Sequence, residues 1–140
     1  MKVIDASNQI LGRVASAAAK QALLGEDVAI TNAEKAVISG RKDFVFARYK
    51  QRRERGVPRK GPFLPRMPDR FVRRAVRGML PMDKTRGRDA FKRIMCYIGV
   101  PKEFEGKETF KVPGADAGKL PTLKKASVTE VCKSLGAPLK

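Results

Sequence analysis

Strand, helix and strand packed into the first forty residues leave this chain few folds to choose from. Lys2-Val3-Ile4 is a β-prone run ending at Asp5, and Asp5-Ala6-Ser7-Asn8 is turn-forming. From Leu11 to Leu24 the apolar residues Leu11, Val14, Ala15, Ala18 and Ala22 recur at spacings of three and four, opposite Arg13, Ser16 and Lys20. That spacing predicts an amphipathic helix. Its alanines leave a shallow face that can lie close against a sheet, and Gly25 suits a left-handed cap behind it. Asp27 to Thr31 reads as a second strand, Asn32 to Lys35 as a turn and Ala36-Val37-Ile38 as a third strand closed by Ser39-Gly40. Strands joined through a helix run parallel with a right-handed crossover, so an α/β fold is expected.

The pattern then changes. Arg41 to Arg55 predicts a helix with Phe44, Val45, Ala47 and Tyr49 supplying apolar contacts, while Arg41, Arg48, Arg52 and Arg55 share a face. Residues 56–68 contain four prolines and two glycines, which excludes a helix or a central strand and predicts an extended cationic excursion. Asp69 suits the N-cap of a helix from Arg70 to Leu80, apolar at Val72, Ala75, Val76 and Met79 and basic at Arg70, Arg73, Arg74 and Arg77. Pro81 ends it. A short helix follows from Arg88 to Arg93 with Ala90 and Phe91 inward, then a fully buried fourth strand over Ile94 to Ile98. Lys102 to Pro121 reads mostly as loop. Ser127-Val128-Thr129-Glu130 has capping-box spacing and opens a last helix whose Val128, Val131, Cys132 and Leu135 share a face. No internal repeat or low-complexity tract divides the chain, so residues 1–140 are expected to form one domain with a loop-rich extension over 102–140.

Charge is segregated along this layout. Residues 41–93 hold 19 Lys+Arg against 5 Asp+Glu, whereas residues 1–40 hold 4 against 4 and residues 94–140 hold 8 against 5. Arginine outnumbers lysine 14 to 5 in the basic stretch. Solubility does not demand that bias, but Arg forks bind phosphate bidentately and stack on bases. A continuous strip of such cations attracts nucleic acid, whose phosphates release counterions on binding. No helix-turn-helix, zinc finger or heptad zipper is present, nor the aromatic signature of an RNA-recognition sheet. An irregular basic arm suits the uneven surface of folded RNA better than a smooth duplex.

Enzymatic alternatives find less support. Histidine is absent, which removes the usual general base and the commonest zinc ligand. Cys96 and Cys132 have no metal-ligand spacing and read as buried thiols. Leu11-Gly12-Arg13 opens a helix after a strand, but Gly12 alone does not make a dinucleotide fingerprint, so a tight turn with close backbone packing is expected there. Asp5, Glu34 and Asp43 could meet as a metal-dependent nuclease site, though caps, turns and ion pairs explain them as well. A third reading is a general packaging or regulatory protein that binds nucleic acid. No apolar run approaches the ~20 residues of a membrane span, and the N-terminus lacks a signal peptide's apolar stretch, so a cytoplasmic protein is expected.

Several motifs in order carry a family resemblance. They are Leu11-Gly12-Arg13 before an Ala-rich helix, Asn32-Ala33-Glu34, Ile38-Ser39-Gly40 and, most specifically, Arg73-Arg74-Ala75-Val76-Arg77-Gly78-Met79-Leu80-Pro81. Lys84-Thr85-Arg86-Gly87-Arg88, Ala90-Phe91 and Tyr97-Ile98-Gly99-Val100-Pro101 extend the series. Over about residues 1–101 the chain resembles the large-subunit ribosomal protein thirteen family, in its archaeal and eukaryotic form. The resemblance implies a three-layer α/β/α fold with a four-stranded parallel sheet in the order 3-2-1-4. It also implies binding to large-subunit ribosomal RNA, neighbouring large-subunit proteins as further partners, and a structural role without cofactor, metal or catalytic residues. The protein is expected to sit as a monomer within the ribosome. By resemblance, Arg73, Arg74, Arg77, Gly78, Lys84, Arg86 and Arg88 are expected RNA contacts. By charge, Arg41, Arg48, Arg52, Arg53, Arg55, Arg59, Lys60, Arg66 and Arg70 join them, with Gly56 and Gly61 letting the backbone approach the RNA.

Overall fold

A computed structural model describes residues 1–139. Strand β1 (Lys2–Asp5), helix α1 (Leu11–Leu23) and strand β2 (Val28–Thr31) form the anticipated unit, with β1 and β2 parallel and Ile4 opposite Ile30. Helix α1 ends as its sequence indicates. Gly25 takes φ 99°, its N–H reaches Ala22 O, and Glu26 N–H reaches Gln21 O, a Schellman closure. Gly12 departs from expectation. It lies within the first turn of α1, not at a tight turn, and nothing stands within 4 Å of where its Cβ would be.

The remaining elements are strand β3 (Val37–Ser39), helix α2 (Lys42–Glu54), helix α3 (Pro68–Arg77), helix α4 (Thr85–Lys92), strand β4 (Ile94–Cys96), strand β5 (Thr109–Phe110), strand β6 (Lys125–Ser127) and helix α5 (Val128–Ser134). Short 3-10 turns occupy Ala33–Lys35, Lys102–Phe104 and Ala117–Lys119. The main sheet is four-stranded and parallel throughout, in the order β4-β2-β1-β5. This corrects the expected order 3-2-1-4. Residues 94–99 take the edge of β2 that β3 would have needed: Tyr97 N–H donates to Ile30 O, Asn32 N–H to Gly99 O and Ala33 N–H to Tyr97 O. Asn32, at φ 52°, turns the chain away, and β3 leaves to pair antiparallel with β6, with Val37 also bridging Ile10. The place beyond β1 goes to β5, from a segment expected to be loop.

The sheet is covered unequally. One face presents Ile4, Val28, Ile30, Ile94 and Cys96 to the main core, which α1 to α5 complete. The other presents Val3 and Ala29 to a small cluster with Phe104 and Tyr97, so a single 3-10 turn forms the third layer. Met95 lies 44% exposed, and β4 is therefore not buried on both sides as its apolar run suggested. Helix α5 opens with the expected capping box, Ser127 Oγ accepting from Glu130 N–H and Glu130 Oε2 accepting from Ser127 N–H. Val128, Val131, Cys132 and Leu135 are buried in the main core.

Candidate nucleic-acid interface

Helices α2 and α3 and the excursion between them build the basic surface. In α2, Val45 is buried while Phe46 and Tyr49 pack partly against the core. Phe44 and Ala47, expected to face inward, are exposed. Val45 alone of its thirteen residues is buried, and the α2 arginines are exposed. Helix α3 begins at Pro68, a proline in the first turn that loses no hydrogen bond there. Asp69 is accordingly inside the helix and does not cap it. Phe71, Val72 and Val76 form the buried face, while Met79, anticipated in that face, is exposed.

Residues 56–66 form an irregular arm whose first part is a tight turn. Val57 bridges Gly61, and both Lys60 N–H and Gly61 N–H reach Val57 O. Gly56 has φ 86°, and a Cβ there would fall 1.8 Å from Gly61 O. That glycine lets the arm approach itself.

Fifteen of the sixteen expected contact positions are exposed. Arg73 differs. Its guanidinium lies over the Phe91 ring at 4.5 Å and its Nε is buried without a partner, so it ties α3 to α4. Three ion pairs occur among the described residues, Lys42–Glu130, Lys50–Glu54 and Lys92–Asp89, and each uses a lysine outside the sixteen. Four of the arginines instead meet backbone carbonyls. Arg53 Nη1 of α2 donates to Leu135 O and Arg66 Nη1 of the arm to Gly136 O, which holds α2 and the arm against the end of α5. Arg74 Nη1 donates to Phe63 O and Arg88 Nε to Met82 O. A carbonyl acceptor orients a guanidinium but leaves its positive charge uncancelled.

The sixteen are spread over α2, the arm, α3 and the start of α4. Arg52, Arg74 and Gly78 meet at a groove between α2 and α3. Arg53 and Arg55 line the hollow of the arm's turn. Arg41 sits at the opposite end of α2, about 20 Å from Arg55 by helix rise, beside Asp43 and Phe44. Lys84, Arg86 and Arg88 belong to the start of α4. Phe63 was not among the anticipated contacts. It is exposed on the arm between Pro62 and Pro65, while its neighbour Leu64 packs against the core.

The carboxylates of the strand ends are already engaged. Burial alone would raise the Asp5 pKa, but hydrogen bonds from the Asn32 side chain and Ser7 outweigh it and hold the pKa below the usual value. Glu34 Oε2 accepts from Gly99 N–H at 3.0 Å. These contacts join β1 and β2 to the segment after β4. Among the described residues no three His, Cys, Asp or Glu side chains gather as a metal site. Cys96 and Cys132 are free, buried thiols whose pKa burial pushes up to about 12.

Residues 1–103 match the sequence model of the family described as Ribosomal protein L13. The chain is 49% identical over 135 residues to the large ribosomal subunit protein uL13 of Archaeoglobus fulgidus, covering 96% of this chain and 86% of that one. It is 46% identical over 138 residues to the protein of the same name from Methanosarcina barkeri, covering 98% and 99%. For that from Methanopyrus kandleri the identity is 47% over 136 residues, covering 96% and 86%. These likenesses run on past residue 103, through β5, β6 and α5.

Proposed function

Because the chain belongs to the ribosomal protein L13 family, we propose that it is a structural, non-enzymatic constituent of the large ribosomal subunit, held there by ribosomal RNA on its arginine surface. The observation that carries this reading is the state of the thirteen arginines among these positions: twelve are exposed, Arg53, Arg66, Arg74 and Arg88 are oriented by carbonyls, and none is paired with a carboxylate among the described residues. Such charges are free to bind phosphate forks. Helix α1 and the sheet supply the rigid body, while α2, the arm and the segment from α3 to α4 form the RNA-facing side. Arg48, Arg52, Arg53, Arg55, Arg59, Lys60, Arg66, Arg70, Arg74 and Arg77 contact phosphates from α2, the arm and α3, Lys84, Arg86 and Arg88 from α4, and Arg41 from the far end of α2. Arg73 positions α4 and adds its charge from behind. Neighbouring large-subunit proteins complete the surroundings, and the protein resides in cytoplasmic ribosomes as a single copy. Asp5 and Glu34 serve to join strand ends, which favours this reading over a metal-dependent nuclease.

Binding to a transcript of large-subunit ribosomal RNA tests it. If six to ten phosphates are neutralised, affinity falls by ~10³–10⁵ between 50 and 200 mM salt. Each exposed arginine changed to glutamine lowers the salt slope by about one. A flat salt response refutes the proposal, and equal affinity for duplex DNA favours a packaging protein instead.

A further inference from the structure

The groove between α2 and α3 is more than a basic surface. It holds a cavity of about 240 Å³. Tyr49 and the buried Phe71 form an aromatic wall, their rings 5.0 Å apart and tilted by 56°, and Leu64 of the arm closes another side. The charged lining groups are both cations, Arg52 and Arg74. Arg52 lies over the Tyr49 ring at 5.6 Å, and Arg74 is held in place by Phe63 O. At the rim stands Gly78, which has an ordinary φ of −66° and whose Cβ would meet nothing closer than Ala75 O at 3.5 Å. The chain's own geometry therefore does not require a glycine there, whereas an open rim does.

We propose that this cavity receives one unstacked base of the ribosomal RNA, set against Tyr49 and Leu64, with Arg52 and Arg74 on the adjoining phosphates. The inference rests on the reading that this surface meets RNA. An aromatic and apolar wall flanked by guanidiniums is the combination that holds a splayed nucleotide. The space is smaller than the ~300–1,000 Å³ of pockets for drug-sized ligands and suits a planar heterocycle. A basic peptide side chain would find no acidic partner among these lining residues, while a nucleotide brings the phosphates that match Arg52 and Arg74.

The test uses the whole protein and a full-length transcript of large-subunit ribosomal RNA. Y49L removes the aromatic wall and G78L fills the rim. Base–aromatic stacking is worth ~5- to 150-fold in affinity, so each variant binds weaker by that range at fixed salt. Neither removes a charge, so the salt slope stays that of the wild type, whereas R52Q lowers it by about one. Melting temperature is followed alongside, and G78L, at an exposed helix end, probes the cavity without touching the core. Zero-length ultraviolet crosslinking of intact large subunits places a nucleotide adduct on Tyr49. Wild-type affinity in both variants with the slope intact overturns the base pocket and leaves RNA binding standing. A peptide crosslinked to Tyr49, or adducts confined to the arm, overturns it likewise. A flat salt response in the wild type removes both proposals together.

Discussion

Gly87 offers a sharp test of how α4 is seated. It lies buried in the first turn of that helix, and a Cβ added to it would stand 2.0 Å from Pro81 O and 2.5 Å from the Pro81 carbonyl carbon. Real Cβ contacts stay beyond 3.0 Å, so Gly87→Ala must drive the two backbones apart by about 1 Å or more. The helix cannot simply slide, because Ala90 is fully buried and Phe91 lies under the Arg73 guanidinium. Overpacking of this kind costs ~1–3 kcal/mol. For a chain of this size that lowers Tm by roughly 4–12 °C. Gly12→Ala is the matched control. It too replaces a helical glycine, but with nothing within 4 Å, so it stabilises by ~0.4–1 kcal/mol through the unfolded chain. Thermal melting followed by far-ultraviolet circular dichroism reads both. The reasoning is refuted if Gly87→Ala melts at or above the wild type, or if both substitutions shift Tm in the same direction.

Ser127→Ala breaks the reciprocal cap of α5 and costs ~1 kcal/mol, with an unchanged denaturation midpoint as the contrary result. Acid should weaken the fold from about pH 4.5 downward. The Lys42 side chain, then Ser127 N–H, lower the Glu130 pKa, and the Asp5 pKa is also lowered. Depressed carboxyl pKa values contribute stability above the unfolded values of 4.5 and 3.8, which is lost as pH falls through the folded ones. Urea titration at pH 3 and pH 6 checks this, and Glu130→Gln flattens the difference. Both thiols resist a disulfide reagent at pH 8 in the native protein and react once it is unfolded. Because their folded pKa is raised to about 12 from 9.0, their contribution is complete below pH 9.0 and declines above it. Rapid labelling of native Cys96 or Cys132 would contradict the packing of α5 and β4.

Local signals were legible and distant pairings were not. The periodicity of α1, its Gly25 closure and the Ser127–Glu130 cap each lie within a few residues of the groups they satisfy. The partner of β3 is β6, whose Ser127 lies 90 positions beyond Val37, and β5 contributes only two residues to the sheet. No periodicity is detectable over so short a run. Helical phase also misled where a helix is only lightly packed, so Phe46 took the contact assigned to Phe44. Composition located the cationic positions, because charge needs no knowledge of packing. The cavity at Tyr49 was hidden, since it exists only where α2, α3 and the arm converge. Arg73 was hidden for the same reason: its inward turn depends on Phe91, eighteen residues away on another helix.

The division of labour between lysine and arginine has one more consequence. Every ion pair among the described residues belongs to a lysine, so the guanidiniums of the free molecule repel one another with no carboxylate in direct contact to offset them. Dissolved ions screen that repulsion over about 10 Å at 0.1 M. Raising ionic strength therefore firms up the solitary protein while loosening its grip on a polyanion. One reagent acts with opposite sign on the two states, and the brine that strips the protein from its RNA is the medium in which it best keeps its shape alone.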